Sequence, residues 1–153
     1  MKFSIITINY NNKEGLEKTI CSVINQTYRD FEFIIIDGGS TDGSKEIIQK
    51  YEKHIDYWIS EPDKGIYNAM NKGTTIAHGE YFNYLNSGDC YHNKFVLQSI
   101  VNLDCKVDII TGCHKDNGLR NIGKDGISML DLYKWAIDHQ ASFIKKELCI
   151  KFP

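Results

Sequence analysis

Proline is nearly absent from this chain. Its two prolines, Pro62 and Pro153, leave helices and strands of ordinary length unbroken. No apolar stretch approaches the ~20 residues that a membrane-spanning helix needs. The first nine residues hold too short an apolar run for a secretory leader and read as a strand. Neither sign of charge dominates: 18 Lys and Arg against 20 Asp and Glu leave a formal net charge of −2. That balance argues against a nucleic-acid partner, because domains that bind nucleic acid are usually strongly basic. Paired cysteines are missing as well. Cys21, Cys90, Cys105, Cys113 and Cys149 are odd in number, scattered, and include no Cys-x-x-Cys. This is the usage of reduced thiols in a cytoplasmic setting rather than of a disulfide frame. Neither a Gly-x-x-x-x-Gly-Lys-Ser/Thr loop nor a Gly-x-Gly-x-x-Gly turn occurs, which disfavours ATP hydrolysis and NAD binding of the common kinds.

What is present is alternation. The chain has 153 residues, 42% hydrophobic and 25% charged, enough for one domain with a sizeable core. Apolar runs at residues 3–8, 31–36, 57–59, 81–85 and 107–111 read as strands. Between them lie helical patterns: Leu16, Ile20, Val23 and Ile24; Ile47, Ile48 and Tyr51; Ile66, Ala69, Met70, Ile76 and Ala77; and residues 94–101. Asn11 or Asn12 is a ready N-cap for the first helix, and Gly79 a stop for the third. Strands alternating with helices through short loops predict a three-layer α/β/α domain with a mostly parallel sheet, Rossmann-like in architecture. Tyr81, Phe82 and Tyr84 are expected to be core rather than a nucleic-acid stacking strip. Residues 114–126, polar and glycine-rich, predict a loop or hairpin. A short helix over 129–137 and a strand over 141–144 are expected beyond it. The expected organisation is a single domain over residues 1–153, with a ligand-binding core at 1–112 and an incomplete second-substrate region at 113–153.

Ligands of open α/β sheets bind beyond the carboxyl ends of the strands. There this sequence places Thr7, Asn9 and Tyr10; Asp37, Gly39, Ser40 and Asp42; Glu61 to Gly65, including Asp63; and Asn86, Ser87, Gly88 and Asp89. The abrupt change from Ile34-Ile35-Ile36 to Asp37-Gly38-Gly39-Ser40-Thr41-Asp42 is the sharpest signal. Read alone, it is more readily a βα turn whose Asp caps a helix. A crevice of carboxylates and amides suits a nucleotide base and ribose held by hydrogen bonds, with a diphosphate held through a divalent metal. Mg²⁺ or Mn²⁺ takes only one or two protein carboxylates, and Asp89 is the candidate, with Gly88 allowing close backbone approach. A plain turn is the alternative for Asn86–Asp89. Cys90, His92, Cys113 and His114 have the residue types of a zinc site but unusual spacings. Lys145-Lys146 is too short a basic run to carry membrane attachment.

In order along the chain stand residues 3–11, Ser22-Val23-x-x-Gln26-Thr27-Tyr28, residues 36–43, Glu61-x-Asp63-x-Gly65-Ile66-Tyr67-x-Ala69-Met70-Asn71-Lys72-Gly73, Gly79-Glu80-Tyr81, Leu85–Asp89 and His139-Gln140-Ala141. Together they resemble the family 2 glycosyltransferases, and among these the bacterial enzymes that assemble capsule, exopolysaccharide or lipopolysaccharide. The resemblance covers nearly the whole chain. It implies the GT-A fold and metal-dependent inverting transfer from a nucleotide sugar, usually UDP-linked, to a glycan or lipid-linked glycan. Work at the inner face of the cytoplasmic membrane, with peripheral association, would follow. By the same resemblance Thr7 and Tyr10 line the uridine pocket, Asp37 accepts a hydrogen bond from the base, and Asn71 and Lys72 lie near the base and ribose. Asp89 matches the last aspartate of the metal motif, and His139 and Gln140 match a segment near acceptor or diphosphate.

Two departures stand out. Asn86 and Gly88 occupy positions where many relatives have aspartates, so the metal would rest on Asp89 alone. The family's general base usually lies further downstream than Pro153. The expectation is therefore a donor-binding half whose acceptor half is missing, with Asp138 or His139 as substitute bases. A donor-binding fragment without transferase activity is the second reading. A nucleotidyltransferase is the third, and it lacks the expected glycine-rich, basic loop after the first strand.

Overall fold

The computed structural model describes residues 2–104, 107–111 and 141–151. The chain runs β1 (Phe3–Asn9), α1 (Lys13–Ile24), β2 (Phe31–Asp37), α2 (Ser44–Lys50), a 3₁₀ turn (Glu52–His54), β3 (Tyr57–Ser60), α3 (Ile66–Ile76), β4 (Tyr81–Tyr84), α4 (Val96–Asn102), β5 (Ile109–Thr111), β6 (Ser142–Lys145) and α5 (Lys146–Lys151). The six strands form one sheet in the order β3-β2-β1-β4-β6-β5. β3, β2, β1 and β4 are parallel, whereas β6 runs antiparallel to both of its neighbours.

Period-two alternation builds two cores from the same strands. Phe3, Ile5, Phe33 and Ile35 face one side and pack with Leu16, Ile20 and Val23 of α1 and Ile47 and Ile48 of α2. Ile6, Ile8, Ile34 and Ile36 face the other side and pack with Ala69 of α3, Ala77, Phe82 and Tyr84. β1 is buried along all seven residues, as a central parallel strand covered on both faces must be. Each buried Ile or Phe contributes roughly 1.5–3 kcal/mol of transfer free energy. Gly73 lets α3 lie against the sheet: a Cβ there would sit 2.5 Å from Ile6 Cγ2.

The expected α/β/α architecture with a mostly parallel sheet is the observed one. Tyr81, Phe82 and Tyr84 are core, at 1%, 0% and 9% exposure. Asn12, not Asn11, caps α1, its side-chain oxygen accepting from Gly15 N at 3.1 Å. Three details go beyond the sequence pattern. Ile66 is 46% exposed at the first residue of α3. β5 does not lie beside β4, because β6 is inserted between them. α5 forms directly after β6. The predicted loop over 114–126 and helix over 129–137 lie outside the described residues, as do Asp138, His139, Gln140, Cys105, Cys113 and His114.

Candidate functional site

At the carboxyl edge of the sheet, strand register brings three polar residues onto one rung. Asn9 pairs with Asp37, and Asp37 pairs with Ser60. Paired residues of neighbouring strands point to the same face, so the side chains meet laterally. Asp37 Oδ1 accepts from Asn9 Nδ2 at 2.7 Å and from Ser40 Oγ at 2.5 Å. Its Oδ2 accepts from Ser60 Oγ at 2.6 Å and from Ser40 N at 2.9 Å. Burial alone would push this carboxyl up. The hydrogen bonds from Ser40, Ser60 and Asn9 outweigh it and hold Asp37 below the usual carboxylate range.

The network continues into the loops. Ser87 Oγ donates to Asn9 Oδ1 at 2.7 Å, and Asn11 N donates to Ser40 Oγ at 2.7 Å. Asp42 receives Lys13 N at 2.8 Å and Ser44 Oγ at 2.6 Å. The hydrogen bond from Ser44, working against slight desolvation, keeps the Asp42 carboxyl below its usual range. The loops after β1, β2 and β4 are thus tied to one another. On the β4 side, Thr19 Oγ1 donates to Asp89 O at 2.8 Å while Gly88 N donates to Thr19 Oγ1 at 3.0 Å. Asn12 Nδ2 donates to Ser87 O at 2.9 Å. Gly88, at φ +106, takes the left-handed conformation that presents the Asp89 end of the loop.

The structure divides the predicted site residues into supports and surface groups. Thr7 and Asp37 are supports. Both are 0% exposed, and Thr7 Oγ1 is spent on Leu85 O at 2.8 Å, linking β1 to the end of β4. Asn9, 1% exposed, and Ser40, half-buried, belong to the same support. Gly39, at φ +81, turns the chain against Pro62: a Cβ there would lie 3.1 Å from Pro62 N. Asn71 and Lys72 both stand on α3. Lys72 Nζ pairs with Glu61 Oε1 at 2.7 Å. Asn71 lines a separate groove with Ile66, Tyr67 and Met70 of α3, closed on its far side by Ile144 and Leu148. The residues that do open onto the crevice are Tyr10, which is 68% exposed, Asp63, and Ser87 to Asp89.

Ser60, Asn12, Thr19 and Gly38 were missed as site residues. Ser60 ends β3 as Asp37 ends β2, and counting back from the two strand ends is the signal that would have found it. Nothing in sequence spacing marks Thr19, nearly two helical turns into α1, as the anchor of a loop some seventy residues away.

A divalent ion fits the donors here only with help from a ligand. Among the described residues no group of three or more His, Cys, Asp or Glu could enclose one. Asp89 offers a hard oxygen on a partly exposed loop, and a one-carboxylate site of that kind suits Mg²⁺ or Mn²⁺ when phosphate oxygens and water complete the shell. Cys90, an exposed free thiol, and exposed His92 are half of the residue-type pattern for zinc, and its other half, Cys113 and His114, lies outside the described residues.

Comparison with known proteins agrees with this architecture. An uncharacterized glycosyltransferase of Mycobacterium tuberculosis is 34% identical over 163 aligned positions, spanning 97% of this chain and 60% of that protein. A putative teichuronic acid biosynthesis glycosyltransferase of Bacillus subtilis, TuaG, is 40% identical over 91 positions, 56% of this chain and 35% of that protein. The chain therefore spans no more than about three-fifths of the length of these relatives. Residues 1–349 of S. aureus TarS in complex with UDP-GlcNAc superpose with a TM-score of 0.80 at 21% identity, over 99% of this chain and 47% of that one. A mannosyltransferase of Pyrobaculum calidifontis in complex with GDP-Man and Mn²⁺ gives 0.76 at 18% identity, over 98% and 46%. These likenesses show the GT-A fold. The profile of the family described as "Glycosyl transferase family 2" matches residues 4–131, and with that match the chain belongs to the family 2 glycosyltransferases.

Proposed function

We propose that this chain binds a nucleotide-sugar donor, a UDP-sugar, at the carboxyl edge of β3, β2, β1 and β4, and that the protein transfers the sugar to a surface glycan or lipid-linked glycan. The observation that carries the reading is the tied set of loops at that edge: one hydrogen-bonded network runs Ser60–Asp37–Asn9–Ser87 and fixes the Tyr10, Asp63 and Asp89 loops relative to one another before any ligand arrives. Preorganisation of that kind lowers the ordering cost of binding. The exposed Tyr10 ring suits a base, and the loop after β4 suits a diphosphate.

Inverting transfer needs an acceptor hydroxyl aligned with the sugar's anomeric carbon and a group to take its proton. Asp138 and His139 are this chain's own candidates for that group. A bound Mg²⁺ or Mn²⁺, held by Asp89, would supply neutralisation of charge on the departing diphosphate. TuaG's name, with its reference to teichuronic acid, and TarS's complex with UDP-GlcNAc support a UDP-sugar donor and a bacterial surface-glycan acceptor. A place at the inner face of the cytoplasmic membrane follows from such an acceptor. Among the described residues no helix is long and apolar enough to cross a membrane.

Calorimetry of the chain with UDP, UDP-sugars and ADP, with and without Mn²⁺, tests the donor site. Tight UDP binding that Mn²⁺ strengthens is the expected result, and equal affinity for ADP would overturn it. Product analysis then separates transfer (free UDP plus glycoside) from donor binding alone.

A further inference from the structure

We propose that Thr19 of α1 is the positioning residue for Asp89. Its hydroxyl fixes the loop after β4 in the shape that lets the Asp89 carboxylate meet a divalent ion on the donor's diphosphate. The proposal rests on the donor-binding reading above and adds to it a residue that lies outside the crevice.

Residues 86–89 form a tight turn. Asp89 N donates to Asn86 O at 2.9 Å, and Gly88 supplies the positive φ of its third position. Gly88 and Cys90, on either side of Asp89, are exposed, so the turn faces water on its outer side. Thr19 meets its inner side and is itself 0% exposed. A hydroxyl has one hydrogen to give and two lone pairs. Three carbonyls lie within reach of Thr19 Oγ1: Asp89 O at 2.8 Å, Gly15 O at 3.1 Å and Asn86 O at 3.3 Å. Asp89 O is the nearest, and Gly15 O already serves the i→i−4 ladder of α1. The hydrogen therefore goes to Asp89 O, and a lone pair takes Gly88 N at 3.0 Å. One hydroxyl thus grips the backbone just before and just after the Asp89 Cα. A buried β-branched side chain on a helix has few rotamers to move through, so the grip is a fixed point.

Thr19 belongs to a polar stripe along α1. The stripe starts at the N-cap Asn12 and continues through Thr19 and Ser22 to Gln26, just past the helix, at spacings of seven, three and four. Asn12 Nδ2 donates to Ser87 O at 2.9 Å, and Ser22 Oγ accepts from Tyr91 N at 3.3 Å. Gln26 Nε2 donates to Asn93 O at 2.8 Å, while its Oε1 accepts from Leu97 N at 3.2 Å. The segment from β4 to α4 is thus laid along α1 in sequence order. Of these contacts, those of Thr19 alone fall on Asp89 itself; the others guide the chain before and after it. A metal site with a single protein carboxylate has no second protein ligand to correct the first. The place of the ion then depends on that one residue's backbone, which something other than the ion must hold. Groups that orient a metal ligand are typically worth about 10- to 100-fold in metal affinity.

The test is calorimetric, with UDP as the probe in the presence and absence of Mn²⁺. It compares the full chain with Thr19→Val, Thr19→Ser, Asp89→Asn and the Thr19→Val/Asp89→Asn double variant. Thr19→Val keeps the branched shape and removes only the hydroxyl. A thermal melt checks that it folds, and Thr19→Ala carries the same comparison if it does not. Mn²⁺ should strengthen UDP binding in the wild type. Thr19→Val should lose about 10- to 100-fold of that strengthening, with metal-free UDP affinity close to wild type, and Thr19→Ser should keep it. In the Asp89→Asn background, Thr19→Val should change UDP affinity no further, because a residue that acts through another has nothing left to act on. Full strengthening in Thr19→Val, equal losses with and without Mn²⁺, a Thr19→Ser no better than Thr19→Val, or additive losses in the double variant overturns the positioning role and leaves the donor site standing. Wild-type UDP binding that Mn²⁺ does not strengthen overturns the metal at Asp89, and this role with it. Failure of the wild type to bind UDP at all overturns the donor reading itself.

Discussion

Replacing Asp37 should damage the fold before it damages recognition. The carboxylate is 0% exposed and receives four hydrogen bonds, from Asn9 Nδ2, Ser40 Oγ, Ser40 N and Ser60 Oγ, at 2.5–2.9 Å. Asp37→Ala removes the acceptor for all four at once. Ser40 Oγ retains Asn9 and Asn11 as neighbours, and half-buried Ser40 N reaches water, so the losses are not additive. A cost of about 3 kcal/mol or more is expected, since a single hydrogen bond to a charged group is worth about 1.5–3 kcal/mol. Asp37→Asn keeps the shape. Its oxygen serves Asn9 and the Ser40 hydroxyl, and the Ser60 hydroxyl can rotate to accept from the new NH₂. The Ser40 N–H cannot, and one donor faces another. A loss of about 1–3 kcal/mol follows.

Urea unfolding measures both variants through the shift in midpoint at constant slope. The pH dependence supplies a second reading. A carboxyl held below its unfolded value of about 3.9 adds stability that is complete above that value. The contribution is lost as pH falls through the lower folded value. The wild type's advantage over Asp37→Asn should therefore be flat from neutral pH to about 5 and shrink below about 4. Two near-neutral variants, an Asn costlier than Ala, or an advantage that grows on acidification would each refute the assignment of Asp37 as the buried anchor of this edge.

Three further outcomes are expected. Asp89→Asn should abolish the strengthening of UDP binding by Mn²⁺ while leaving metal-free affinity nearly unchanged, and titrations with and without the ion would show an equal Mn²⁺ effect in both proteins if the ion sits elsewhere. Gly79→Ala would place a Cβ 2.6 Å from Phe3 C and Ser4 N. Because those are backbone atoms, the strand must shift, and a thermal or urea melt should show a loss of about 1–3 kcal/mol or more. Glu32→Gln removes a 7%-exposed carboxylate that accepts from Ser4 Oγ and from the His78 and Gly79 amides. Burial pushes this carboxyl up, but those hydrogen bonds hold it below its usual range, so the destabilisation, about 1–3 kcal/mol near neutrality, should fade as pH drops below about 4.

Most of the parallel half of the sheet was legible because its information is local. Ile34-Ile35-Ile36 between Phe33 and Asp37 has the length and β-branching of a strand covered on both faces, and Leu16, Ile20 and Val23 have the spacing of one face of a helix. The placement of β6 was not legible. Its pairing with β4 joins Phe82 to Ile144, and no local pattern in either segment encodes that partner or its direction. The exposure of Ile66 was not legible either. Its spacing with Ala69 and Met70 is helical, yet it stands at the first residue of α3, beside the groove that α5 and β6 border.

The site divides along the same line. Sequence locates which residues fall just past a strand, and so gathered Asn9, Asp37, Asp63 and Asp89 at one edge. It does not give the rung on which neighbouring strands align, and the rung decides what each carboxylate does. Asp37 shares its rung with Asn9 and is paired with Ser60 on the other side, so its charge is satisfied inside the protein and its role is to hold three loops. Asp63 lies three residues beyond the end of β3, past Pro62, with no strand residue opposite it. One of its oxygens is anchored to Gly65 and the other lies close against Gly38, where a Cβ would be 2.9 Å away. Two aspartates that look alike in the sequence are separated by three residues' distance from a ladder: inside it, a carboxylate becomes scaffold, and beyond it, a carboxylate keeps lone pairs for a ligand.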